Sequence, residues 1–148
     1  MTTTSERVRP TAMYVGLGLT ILATLVPVLD IATVDTLAGH VRDAYPDWGA
    51  DDVRKDRDAI AIYLVGTGAL GIVLWVLTIR AFTGGRRWAR AAMTAACGAG
   101  LLVALTNLSL GGDHYDVVVP YGYGVLTLLP CLAGLVAVVS VWRPARRA

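Results

Sequence analysis

Residues 59–79 read AIAIYLVGTGALGIVLWVLTI, a run of 21 residues without Asp, Glu, Lys or Arg. A helix needs ~20 apolar residues to cross the ~30 Å hydrocarbon core of a bilayer. This stretch alone therefore predicts a membrane span. Three further charge-free windows surround it, Thr11–Leu29, Ala91–Gly112 and Val117–Trp142. Together the four windows fill most of the 148 residues, of which 55% are hydrophobic and only 16% charged. That excludes a soluble globular enzyme, a disordered chain and a disulfide-stapled secreted module. The expected fold is all-α: an integral membrane four-helix bundle forming one four-pass domain over residues 1–148. Its spans lie at about 11–31, 59–80, 91–111 and 117–142.

The net charge of +2 hides a strong separation. With alternating spans, one side collects Arg7, Arg9, Arg80, Arg86, Arg87, Arg90, Arg143, Arg146 and Arg147 against Glu6 alone, a balance of +8. The other collects four cations (Arg42, Arg54, Lys55, Arg57) against ten aspartates, a balance of −6. Basic residues in short loops near span ends stay cytoplasmic. Both termini are therefore expected inside, in a cytoplasmic (plasma) membrane. Twelve arginines to one lysine, with abundant Ala, Gly and Val, suggest a GC-rich bacterial coding bias. Arg7 and Arg9 precede the first window as in a signal peptide. The apolar run exceeds the ~7–15 residues of a signal h-region, however, and no small-x-small site follows, so it reads as a retained span.

Residues 33–58 form the only sizeable extramembrane segment. Val34, Leu37, Val41 and Tyr45 recur at helical spacing, which predicts a short amphipathic extracytoplasmic helix between spans one and two. Thr33 or Asp35 would cap it and Tyr45-Pro46 would end it. The helix would lie across the mouth of the bundle or on the headgroups, with Trp48 at the interface. Asp51 is the expected cap of a second helix running straight into span two, supported by Asp51/Lys55 and Arg54/Asp58 at i, i+4. Thr83-Gly84-Gly85 predicts a tight turn, and Gly111-Gly112 the end of span three. Pro120 belongs to the first turn of span four, while Pro27 and Pro130 should bend their helices.

Five polar residues are expected at one level near the outer ends of the spans: Asp30, Tyr63, Asn107, Tyr121 and Tyr123. Burying such groups is costly, so they are the candidate ligand-binding cluster, with an interfacial belt as the alternative. His40, His114, Asp113 and Asp116 share the outer side and are weak metal candidates, because no local ligand spacing supports them. Cys97 and Cys131 lack a Cys-x-x-Cys pattern and read as small apolar packing residues. No phosphate loop, nucleophile elbow or cofactor fingerprint occurs in a fitting context, so no cofactor is expected. Arg86, Arg87 and Arg90 flank a span and orient it; no nucleic acid partner is expected. Small residues such as Gly66, Gly68, Ala92, Ala96 and Gly100 suit close helix approach, within one bundle, with a membrane-protein partner or in a homo-oligomer.

The leading functional expectation is a small non-enzymatic accessory, scaffold or interaction component of a bacterial membrane, with the lipid bilayer as its first partner. The alternative is a membrane-embedded small-molecule or lipid binding protein, transport subunit or enzyme built on the outer polar cluster. A cavity lined by Asp30, Tyr63, Asn107 and Tyr121 would favour the alternative.

Overall fold

A computed structural model describes residues 4–112 and 114–143, with side chains from residue 11 onward. Arg146, Arg147, Asp113 and the side chains of Glu6, Arg7 and Arg9 lie outside the described residues. Five helices follow in chain order: α1 (Thr4–Thr33), α2 (Thr36–Ala44), α3 (Ala50–Thr83), α4 (Ala89–Ser109) and α5 (Tyr121–Trp142). All but α2 are long and apolar enough to cross a membrane, so the expected four-span helical bundle is present.

Several boundaries differ from those expected. α1 begins at Thr4, ahead of the span expected from about residue 11, and runs through Pro27 to Thr33. In hydrocarbon the freed backbone groups have no better partner than the helix itself, so one missing N–H does not end it. α4 stops at Ser109, ahead of the Gly111-Gly112 pair. α5 starts at Tyr121 rather than near Val117, and Pro120 is its cap, not part of its first turn. Val119 precedes that proline and is held away from helical geometry. Residues 110–112 and 114–119 instead bond to one another, with Gly112 N donating to Tyr115 O (3.1 Å) and Val118 N to Leu110 O (2.9 Å).

At the start of α3 the cap is Gly49, not Asp51. The ion pairs there are i, i+3: Arg54 to Asp51 at 3.3 Å and Lys55 to Asp52 at 3.0 Å. Asp58 pairs with Arg57 at 2.7 Å instead of Arg54. The 34 residues of α3 would span ~51 Å at ~1.5 Å per residue. Its first turns therefore project beyond the bilayer, where α2 packs against them.

α2 lies on the bundle because its apolar face is used there. Leu37 and Val41 are 0% exposed and join Val53, Ile60, Leu64, Tyr115 and Tyr123 in one core cluster. Val34, expected on the same face, precedes the helix and is 75% exposed. Asp35 caps α2 from a left-handed conformation (φ 55°), accepting from Ala38 N at 3.4 Å. Arg57 of α3 holds that carboxylate at 2.7 Å. Trp48 stacks on Tyr45 with ring centroids 3.9 Å apart.

The Tyr115 hydroxyl donates to Asp56 at 2.5 Å, tying the 110–119 coil to α3. Burial and the neighbouring Asp56 carboxylate push the Tyr115 phenol above its usual range. A raised folded-state pKa means this contribution is complete below the unfolded value of about 10 and is lost as pH rises through the higher folded one. Tyr115→Phe is expected to lower stability by about 1–3 kcal/mol at neutral pH. The gap between parent and variant melting temperatures should narrow only above pH ~10. Thermal melts at pH 7 and pH 11 check both statements.

The spans pack as antiparallel ladders of small residues. Gly16, Thr20 and Thr24 of α1 meet Trp75, Gly71 and Gly68 of α3. Cys97 of α4 meets Gly134 of α5, and Leu108 meets Gly124. α1–α5, α4–α5 and α1–α3 are the closely packed span pairs, whereas α3 and α4 touch far less. A second core cluster, Ala12, Met13, Ile79, Met93, Ala137 and Val141, lies at the opposite end from α2, on the side of the arginines. At mid-depth, between the two clusters, the bundle is not filled.

Candidate functional site

The five candidate polar residues do not converge on one point. Asp30, at the end of α1, accepts from Thr36 Oγ1 at 2.8 Å and from Leu37 N at 3.3 Å. Tyr123 of α5 interacts with both Asp30 and Thr36. This group joins α1, α2 and α5. Separately, the Tyr63 hydroxyl of α3 donates to Asn107 Oδ1 of α4 at 2.8 Å. Asn107 is 2% exposed, and its Nδ2 has no hydrogen-bond partner. Tyr121 is 61% exposed and joins neither group. Thr106 and Ser109 return their hydroxyls to their own helix, at Leu102 O and Leu105 O.

Each group bridges helices. Tyr63–Asn107 is a clasp between α3 and α4, the least packed of the span pairs that touch. Asp30 fixes the α1–α2 corner, receiving donors at the start of α2 much as an N-cap would. The histidines are engaged elsewhere. His40 Nε2 donates to Val117 O at 3.0 Å and its ring stacks on Tyr115, while His114 sits edge-on to Tyr45. Among the described residues no three His, Cys, Asp or Glu side chains gather as a metal would require. Asp116 is exposed, and Asp113 lies outside those residues.

The cavity lies one turn deeper than the clasp. It measures about 200 Å³ and all four spans line it. Thr20 and Ala23 of α1, with Pro130, Cys131 and Gly134 of α5, form its buried back wall. Leu70 and Leu74 of α3 and Ala99 and Val103 of α4 form its edges, and these four are exposed. The cavity is therefore a lateral window between α3 and α4. The Tyr63–Asn107 clasp closes it at one end, since Tyr63 precedes the lining residue Thr67 by one turn and Asn107 follows Val103 by one turn. At the other end the lining stops at Thr78 and Met93, short of the turn in which Gly85 takes φ 65° and Gly84 N donates to Arg80 O at 3.0 Å.

The lining is almost wholly apolar. Its polar members are four threonines, the indole N–H of Trp75 and the free thiols of Cys97 and Cys131. Thr20, Thr67 and Thr127 spend their hydroxyls on helix carbonyls. Thr78 is 6% exposed, lines the window, and makes no hydrogen bond to any described residue. No carboxylate, imidazole or basic group reaches the window. Sequence reasoning did not point to it. The relevant signal, Thr67, Gly71, Trp75 and Thr78 along one face of α3, is the same small-and-apolar pattern that ordinary helix packing produces. No protein-family model, curated protein or solved structure matches this chain.

Proposed function

We propose that the chain is a non-enzymatic component of a bacterial cytoplasmic membrane that takes hydrocarbon from the surrounding bilayer into the window between α3 and α4. One observation carries this reading: a cavity at membrane depth, between α3 and α4, opens sideways toward lipid and is lined by apolar side chains. Left empty, 200 Å³ would forgo about 5 kcal/mol of packing, at ~24 cal/mol per Å³ of void. Water gains little in so apolar a space, whereas a lipid chain fills it without losing a hydrogen bond. The absence of acid, base or cation from its walls supports binding rather than chemistry. The +8/−6 division of charge supports cytoplasmic termini.

A scaffold or interaction role, with α2 and the aspartate-rich segment after it as the partner-facing surface, is the second reading. It is favoured by the way Asp30, Thr36, Tyr63 and Asn107 use their polar groups on each other.

Photolabelling tests the first reading. A fatty acid carrying a mid-chain diazirine would be incorporated into membranes holding the full chain, and the labelled peptides mapped. Label is expected on residues 67–78 and 93–103, falling at least about fivefold in Ala96→Phe or Ala99→Phe. Ala99 is an exposed edge residue, so its variant leaves helix contacts in place. Even labelling of all lipid-facing surfaces, indifferent to both variants, would overturn the window and leave the scaffold role.

A further inference from the structure

The window has cations near one end only. Its lining on α3 runs from Thr67 to Thr78, a rise of ~16 Å at ~1.5 Å per residue. That matches one leaflet, half of the ~30 Å hydrocarbon core. Thr78, which lines the window and makes no hydrogen bond to any described residue, stands two residues before Arg80, where the charge-free run ends. The unused donor therefore sits near the level at which lipid chains meet their ester groups.

Cations stand beyond that end. On α4 the lining stripe Val103, Ala99, Ala96 continues at helical spacing through Ala92 to Trp88. The Arg86 guanidinium lies over the Trp88 ring, 5.8 Å from its centre. Arg87 and Arg90 flank the same position in sequence. No such charge marks the other end, where the Tyr63–Asn107 clasp is neutral. The shape selects among occupants too. A transmembrane helix, ~10 Å across, needs a groove open at both ends, and the clasp stops this one at the Tyr63–Asn107 end.

We propose that the window holds one acyl chain of an anionic glycerophospholipid from the leaflet on the Arg86 side, its ester carbonyl accepting from Thr78 and its phosphate facing Arg86 and its neighbours. This rests on the hydrocarbon-binding reading above and names its occupant. The chain enters sideways between Leu74 and Ala99 and ends beneath the clasp. The headgroup stays outside, at the level of the α3–α4 turn. Arginine suits this role because its planar fork matches phosphate oxygens in pairs.

Lipid competition on the full chain distinguishes the two claims. The protein would be placed in nanodiscs of equimolar phosphatidylglycerol and phosphatidylcholine with identical acyl chains, and lipids retained after transfer to detergent counted by native mass spectrometry. Retained phosphatidylglycerol is expected to exceed phosphatidylcholine about tenfold. Arg86→Gln, which leaves Arg87 and Arg90 to orient the span, should cut that preference about fivefold. Thr78→Val, of nearly equal volume, should lower retention of both lipids about threefold or more without changing the preference. Ala96→Phe and Ala99→Phe should abolish retention of both. Equal retention of the two lipids, still lost in the phenylalanine variants, would overturn the anionic assignment while leaving hydrocarbon binding intact. Retention unchanged in both phenylalanine variants would overturn both claims. Retention unchanged by Thr78→Val would remove the ester contact, and a second protein chain found in place of lipid would refute the proposal outright.

Discussion

Gly68→Val is expected to lower the stability of the bundle by about 3 kcal/mol, near the upper end for an overpacked helix contact. A Cβ at Gly68 would overlap Thr24 Oγ1 and lie 3.0 Å from Thr24 Cβ and 3.2 Å from its Cγ2. Thr24 cannot swing aside freely, because it is β-branched and its hydroxyl donates to Thr20 O at 2.7 Å. α1 and α3 must then separate along the ladder that also seats Thr20 on Gly71. Gly66 is the control: nothing lies within 4 Å of its Cβ position. Gly66→Ala should be neutral or stabilising, by up to ~1 kcal/mol from helix propensity. Thermal unfolding in mild detergent separates the two. A Gly68→Val protein that melts with the parent would mean that α1 and α3 do not meet at this glycine.

Asp30→Leu is expected to destabilise by about 1–3 kcal/mol, and Asp30→Asn by distinctly less. The leucine removes the acceptor for the Thr36 hydroxyl and the Leu37 amide, and both donors sit where α1 turns into α2. Asparagine keeps one acceptor oxygen and nearly the same shape. The damage should be local: α2 and the side chains it buries, Leu37 and Val41, should become more open to hydrogen exchange, while the ladders between spans stay protected. A leucine variant as stable and as protected as the parent would show that the corner does not depend on this carboxylate. The same pair of variants informs the ligand question, because Asp30 serving the corner leaves it little capacity for a ligand.

The number and position of the spans, the turn at Gly84-Gly85 and the existence of a short amphipathic helix before α3 were all legible in the amino-acid order. The physical reason is locality. Hydrocarbon forces every backbone polar group of a span to be satisfied within its own segment, so each charge-free window declares a helix without reference to its neighbours. The segregation of charge between the two ends of the spans is local in the same sense. Side-chain partners are not. Asp30 found Thr36, six residues ahead on the next helix, rather than Asn107 across the bundle, and Asn107 found Tyr63. Tyr121 and Tyr123 were grouped by depth, yet residues two apart on a helix cannot share a face. Only Tyr123 turned inward. The window was the least visible feature of all, since it exists through weak packing between α3 and α4 while α1 and α5 close its back. Which helices touch, and which are left apart, depends on the summed fit of Gly16, Gly68, Gly71, Gly124 and Gly134 to the side chains they receive. That fit was decided only by the tertiary structure, because small residues permit close approach without naming the partner.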